Sequence, residues 1–600
     1  MSGIDSTTNF FARNRTVIAV TALAGLSAAG AYYYLNQPSA GDAPDAGKKK
    51  KNKKKKAKKA GEDSGANTPA PAEKEEKTRV YPVNAQGLPE VSDEVINGLT
   101  EAQKEEWALA LKEDGNNEFK AKNYDDAIAY YTVALQIKKD PIFYSNRSAC
   151  YAALNDHENV IKDTTEAIKI KPDYTKCVLR RATSYETIER YEDAMFDLTA
   201  LTIYGGFSNK SIEQVLERVL KKHSIKIVES KPKTFNLPSA SIIGSFFGAF
   251  VEETTPEGIS EQSEGADKFL YDALVNININ TQEGYEQADT LLNQALEAYN
   301  IEELSPESPQ AGPASIALEY SAAFSFLKNQ PQEAASGINK AIALKPRPRS
   351  YIFRALINAD KQSYDDAIKD FAKAQEMDPE CPDIFYHLGQ LHYLTGDMAN
   401  AEVNFVKAKS LNPENVYAYI QLACITYKNG LFDSAIEKFT EAKLKFATSP
   451  EVPTYYGEIL ADRGDIEGAC KQFDIAARLQ ESLKTFSVGS LPLINKATCI
   501  SRESLERMPE AEELLVRACE LDPKSELAKL SLAQIKLQQE KVDEAIELFE
   551  ESTDLARNFE EKVQATSFAE ATKMQKRIRN DPVLTKKIAE VMQQSGAIPY

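Results

Sequence analysis

The sequence predicts an all-α protein: helical hairpins stacked into a superhelix in two domains, preceded by one membrane-spanning helix. Three observations carry that expectation. An Ala-centred pattern recurs at steps of 33 or 34 residues, Pro follows the second helix of successive units, and an uncharged stretch of twenty residues stands near the N-terminus. At 600 residues the chain exceeds what one hydrophobic core usually supports, which also favours repeats.

The uncharged stretch is "TVIAVTALAGLSAAGAYYYL", residues 16–35. At about 1.5 Å per residue a helix of that length spans roughly 30 Å, enough for a hydrocarbon core. Arg13 and Arg15 close one side and Tyr32, Tyr33 and Tyr34 form an aromatic belt at the other. "LSAAGA" resembles a signal-peptidase site, but the span is long for a cleaved leader. Beyond it, "GKKKKNKKKKAKKAG" resists translocation, so residues 1–15 are expected across the membrane and the body in the cytosol. The same lysines suit anionic lipid; a nuclear localisation signal is the competing reading, disfavoured by the adjacent span. Residues 36–100, rich in Pro, Ala, Lys and Glu, read as a flexible tether.

Ten Lys and two Arg against three Asp give residues 1–60 a charge of +9, leaving −27 of the total −18 for the rest. An acidic body argues against nucleic acid as the main ligand, because phosphate binding needs a basic face. The seven cysteines (Cys150, Cys177, Cys381, Cys424, Cys470, Cys499, Cys519) are scattered and never spaced C-x-x-C, as expected of reduced thiols in a cytosolic body.

The repeat is explicit in "YDDAIAYYTVAL" (124–135), "YEDAMFDLTAL" (191–201), "YDDAIKDFAKAQ" (364–375), "FDSAIEKFTEAK" (432–443) and "VDEAIELFEESTDLA" (542–556). The first Ala of the motif falls at Ala334, Ala367, Ala401, Ala435 and Ala469, then at Ala511 and Ala545, and an aromatic or aliphatic residue stands four places on. Pro172, Pro346, Pro379, Pro413 and Pro523 stop the second helices. This is the tetratricopeptide signature, in which a hairpin cannot bury its apolar face alone and must stack on its neighbours around a concave groove. About eleven units are expected: three in an N-terminal domain, residues 101–205, and the rest in a C-terminal domain, residues 265–600. Between them, residues 206–264 form a junction whose "SIIGSFFGAF" either inserts apolar side chains into a neighbouring domain or acts as a mobile lid.

The first helix of each unit lines the groove. Lys112 and Asn116 lie four apart on one such helix, Asn146 on the next, and Lys176 and Arg180, again four apart, on the third. Five donors with no carboxylate among them suit a ligand with two nearby carboxylates, held by charge-assisted hydrogen bonds of about 1.5 to 3 kcal/mol each. Phe119, one turn beyond Asn116, can supply an apolar wall. In the C-terminal domain the inward positions include Tyr386, Gln390, Tyr393, Tyr417, Ile420, Cys424 and Tyr427, although inter-repeat packing is the competing role for most of them. No phosphate-binding loop, nucleophile elbow or H-E-x-x-H pair occurs, and His387 and His392 are five apart, off metal-ligand spacing on a helix. No enzymatic activity, cofactor or metal is expected.

The five donors match the dicarboxylate clamp of co-chaperones that bind the C-terminal Glu-Glu-Val-Asp of heat-shock chaperones. With the anchor, the lysine tether, the "LPSASIIGSFFGAF" junction and the closing "RIRNDPVLTKKIAEVM", nearly the whole chain resembles the large tetratricopeptide receptors of the mitochondrial outer-membrane translocase, the Tom complex, of fungal type. The resemblance implies a single-pass outer-membrane receptor with its N-terminus in the intermembrane space and its body in the cytosol. It also implies chaperone-tail docking, with partners in the seventy- and ninety-kilodalton classes of cytosolic heat-shock chaperone. Further implied partners are other translocase subunits, membrane lipid and mitochondrial preproteins, especially hydrophobic carriers with internal targeting signals, which would enter the C-terminal groove. Homodimerisation is left open. A membrane-anchored co-chaperone adaptor of the endoplasmic reticulum or peroxisome is the alternative.

Overall fold

The computed structural model of the chain describes residues 79–205 and 210–594, which are helical apart from turns, loops and one isolated antiparallel bridge between Val83 and Pro89. The expected anchor, residues 16–35, and the lysine tract lie outside them. Among the described residues no helix is long and apolar enough to cross a membrane. The chain divides into two compact units: one holds the described residues up to Val219 together with those from Arg577 on, the other Leu220–Lys576.

The first unit opens with α1 (Asp93–Gly98) and continues as three hairpins: α2 (Glu101–Lys120) with α3 (Tyr124–Ile137), α4 (Pro141–Ala153) with α5 (His157–Ile170), and α6 (Thr175–Thr187) with α7 (Tyr191–Tyr204). After α8 (Lys210–Ser230) comes the short apolar α9 (Ala240–Phe247). Eight hairpins follow. They are α10 (Gly265–Ile279) with α11 (Gln282–Tyr299), α12 (Ala311–Leu327) with α13 (Pro331–Leu344), α14 (Pro348–Asp360) with α15 (Tyr364–Met377), and α16 (Pro382–Leu394) with α17 (Met398–Leu411). Then come α18 (Val416–Lys428) with α19 (Phe432–Lys445), α20 (Glu451–Asp462) with α21 (Ile466–Ser482), α22 (Leu491–Glu503) with α23 (Met508–Leu521), and α24 (Glu526–Gln538) with α25 (Val542–Leu555). The chain closes with α26 (Phe559–Arg579) and α27 (Pro582–Gln594). Arg577 pairs with Asp193 at 3.1 Å and α27 packs on α7, so by contact the end of the chain, expected with the C-terminal domain, groups with the first unit.

The repeat pattern has a direct packing cause. Ala334, Ala367, Ala401, Ala435, Ala469, Ala511 and Ala545 are all 0% exposed, each at the point where a second helix crosses its partner. The residue four places on, Ile338, Phe371, Phe405, Phe439, Phe473, Leu515 or Phe549, fills the space beside the crossing and is buried. Glycine on the first helix makes the closest crossings possible: a Cβ at Gly457 would stand 2.6 Å from the Phe473 ring. A second period ties the hairpins. Arg147, Arg181 and Arg354 each fork onto an Asp sixteen residues on, Asp163, Asp197 and Asp370, with shortest contacts of 2.6 to 2.7 Å.

Residues 79–98, expected within the tether, are folded. Tyr81 and Ile96 are buried beside Ala108, Leu111 and Tyr130, the Tyr81 hydroxyl donates to Asp114, and Tyr130 donates to the Gly87 carbonyl at 3.0 Å. Two apolar side chains seated on an existing surface need no periodicity of their own, which is why composition alone missed them.

Candidate functional site

The first groove is set by three helix starts. Thr100 and Gln103 form a capping box that begins α2, Asp140 caps α4 with Pro141 in its first turn, and α6 begins just after the Pro172 break. These starts place Asn116, Asn146 and Arg180 at one level of neighbouring first helices. Asn116 Oδ1 accepts from the Tyr131 hydroxyl at 2.7 Å and from Asn146 Nδ2 at 3.1 Å, which leaves the Asn116 Nδ2 to donate. Arg180 donates through one terminal nitrogen to the Ser145 carbonyl at 2.6 Å and to Ser148 Oγ at 2.8 Å, beside Asn146 on α4. Lys112 and Lys176 stand one turn earlier on α2 and α6; Lys112 is half-buried and Lys176 exposed. Among the described residues none of Lys112, Lys176 and Arg180 has an acidic partner, and the nearby buried acids Asp163 and Asp197 are taken by Arg147 and Arg181. The neighbours of Arg180 on α6 turn away: Cys177 and Val178 are buried, and Arg181 forks onto Asp197. Phe119 is exposed, with its ring edge-on to Tyr124 at 5.5 Å.

All seven cysteines are unbridged. Burial pushes the Cys150 thiol up to about 12 against the opposing pull of Arg180, so it is an inert packing group behind the groove.

The second groove is filled. Residues 237–253 run along the inner faces of the second unit's hairpins, so the apolar junction packs into those hairpins, the first of the two expectations. Phe246 packs against Phe326 and Phe353, each with centroids 6.0 Å away, Phe247 against Tyr320 and Phe324, and Phe250 against Phe353 at 5.0 Å and His387 at 4.2 Å. Ser239 and Ser241 donate to Asp522, and Asn415 donates to the Ala249 carbonyl at 3.4 Å. At the far end the Val251 amide donates to Asp383 at 2.9 Å, while Arg347 and Arg349 hold Glu253 at 2.7 and 2.8 Å. Arg349 also reaches Asp383 at 3.1 Å and the Val251 carbonyl. Beneath this cluster Glu319 is fully buried, and burial lifts its carboxyl to about 7 despite the nearby Arg347 guanidinium. Around the segment, the Phe486 amide donates to the Asn280 carbonyl at 3.0 Å and Lys524 pairs with Glu286 at 2.6 Å, so early and late hairpins of the unit touch.

The residues expected to line this groove are divided. Tyr386 and Ile420 are 0% exposed and Tyr417 6%. Tyr386 accepts from Gln390 at 3.0 Å and packs on Phe405, and Ile420 lies in the cluster with Phe439 and Val452. Tyr417 borders the inner segment, its ring 3.5 Å from where a Cβ on Gly248 would stand. Gln390, Tyr393, Cys424 and Tyr427 are partly exposed; Lys428 covers the Tyr393 ring at 4.0 Å and Tyr427 donates to Asp462 at 2.5 Å. The groove's strongest polar groups, Arg347, Arg349, Asp383 and Asp522, were not singled out from sequence. A visible sign was available: "KPRPRSY" places two Arg at the start of a first helix, as Lys176 stands at the start of α6.

Stacked two-helix repeats around a groove define a tetratricopeptide-repeat protein, and the tetratricopeptide repeat family matches residues 354–413 and 501–558. Mitochondrial import receptor subunit TOM70 of Saccharomyces cerevisiae is 42% identical over 539 residues, 86% of this chain and 87% of that protein. Human TOM70 is 27% identical, covering 80% of each chain. The crystal structure of yeast Tom70 superposes with a TM-score of 0.56 at 46% identity, covering 81% of this chain and all of that one. The chain belongs to the TOM70 family of mitochondrial import receptor subunits.

Proposed function

We propose that this chain is a non-catalytic receptor of the mitochondrial outer membrane, anchored by residues 16–35 with its body in the cytosol. It docks the acidic C-terminal tails of heat-shock chaperones in the first groove, takes hydrophobic preproteins in the second unit, and passes them to the translocation channel. Lys112, Lys176 and Arg180 supply charge to the tail's carboxylates, and Asn116 and Asn146 orient them. The observation that carries this reading is a set of three cations, one on the first helix of the first hairpin and two on that of the third, with no acidic partner among the described residues, in a chain of this family. Import of a carrier preprotein into isolated mitochondria bearing this receptor tests it. Excess acidic tail peptide should slow import on the wild-type receptor and not on Arg180→Ala. Equal inhibition of both would reject the clamp.

A further inference from the structure

We propose that residues 237–253 are a resident occupant of the second groove, and that its external ligand is a segment of the same chemistry: a short aromatic-bearing apolar helix followed by a carboxylate. The proposal rests on the second groove being the preprotein site and names the ligand class that site takes.

The segment is held as a docked peptide is held. Its serine hydroxyls, its backbone and its terminal carboxylate are gripped by wall side chains 94 to 283 residues away in sequence: Asp522 on the hydroxyls at the entry, Asn415 and Asp383 along the backbone, Arg347 and Arg349 on Glu253. Between those grips Ile243, Phe246 and Phe250 are buried between first helices, while Gly244 lets the backbone approach. A Cβ there would come within 2.8 Å of the Phe486 carbonyl oxygen. This alternation of backbone hydrogen bonds and side-chain pockets is the usual mode of peptide capture.

The fit is incomplete. His387, stacked on Phe250, is buried with its Nε2 lacking a hydrogen-bond partner among the described residues. A buried polar atom left unmade costs about 1–3 kcal/mol, which a client bringing a matching group would recover. Exchange of one apolar helix for another keeps the burial nearly constant. What the client must overcome is the tether, which gives the resident segment an effective concentration of the order of millimolar. Occupancy by the chain's own segment therefore sets a weak baseline affinity for clients.

The test uses the full chain and two peptides, one of residues 237–253 and one an apolar helix from a carrier preprotein. Phe246→Ser/Phe250→Ser loosens the resident segment and leaves the walls intact. It should bind the 237–253 peptide at least tenfold more tightly than wild type does, and adding Arg349→Ala should reverse the gain. Hydrogen exchange on the unmodified chain gives an arm independent of variant folding: amides of 240–250 should lose protection when the carrier peptide saturates. No gain in the loosened variant when it is folded, or carrier binding with 240–250 still protected, overturns the proposal. A carrier peptide that binds neither form, while the 237–253 peptide binds the loosened one, supports the resident occupant and refutes the preprotein reading instead.

Discussion

In the first groove Arg180 reaches, among the described residues, a carbonyl and a serine hydroxyl, whereas in the second Arg349 is tied to Glu253, Asp383 and the Val251 carbonyl. Both arginines sit on the first helix of a tetratricopeptide hairpin. The difference lies in what the described residues supply opposite them: nothing acidic in one case, the inner segment in the other. A guanidinium held by two carboxylates, as Arg349 is, belongs to the fold, whereas Arg180 has no ion pair among the described residues to hold it. The same contrast holds between adjacent residues, since Arg181 spends its fork on Asp197 while Arg180 does not.

The sharpest way to break that comparison is to remove the fold-bearing arginine. Arg349→Leu leaves Asp383 without its guanidinium partner and Glu253 with Arg347 alone, and losing one side of a buried ionic pair typically costs about 3–5 kcal/mol. The denaturation midpoint of the second unit should fall accordingly, with acidic-tail affinity unchanged. Arg180→Ala should do the reverse, weakening tail binding by about 1.5 to 3 kcal/mol, roughly 10- to 150-fold, with little change in melting temperature. Arg181→Ala, one residue on, should destabilise the first unit instead, because it strands Asp197 in a site where burial already raises its carboxyl.

These contrasts mark what was legible in the sequence. Hairpin stacking was, because close helix crossings demand Ala at a fixed step and one bulky residue four places on. The positions of Lys112, Asn116, Asn146, Lys176 and Arg180 were read from that same register. The inner segment's destination was not: "SIIGSFFGAF" has no repeat partner, and an apolar run says that it needs cover without saying which surface gives it. Nor was the direction of Tyr386 and Ile420, because a first helix packs against its own partner, the next hairpin and the groove at once, and three contact directions blur a helical stripe.

A smaller effect sharpens the second groove alone. Glu319 stands at about 7 in the folded chain against an ordinary value of 4.5, so the native state holds its proton longer than the unfolded one. Its contribution to stability is then complete below about pH 4.5 and is lost as pH rises through 7. Glu319→Gln cannot ionise, so urea midpoints at pH 5.5 and 8 should lie closer together in the variant than in wild type. Smallest of all, raising salt should weaken tail binding several-fold and leave the inner segment's exchange protection unaltered, because exposed pairings are screened and buried ones are not.

The most direct measurement is calorimetric titration of one acidic tail peptide in two forms, free acid and C-terminal amide, onto the full chain. If unpartnered cations are what the first groove offers, deleting one ligand carboxylate should cost tenfold or more in affinity for wild type and much less for Arg180→Ala. Equal affinity of the two peptide forms for the wild-type chain would contradict the account.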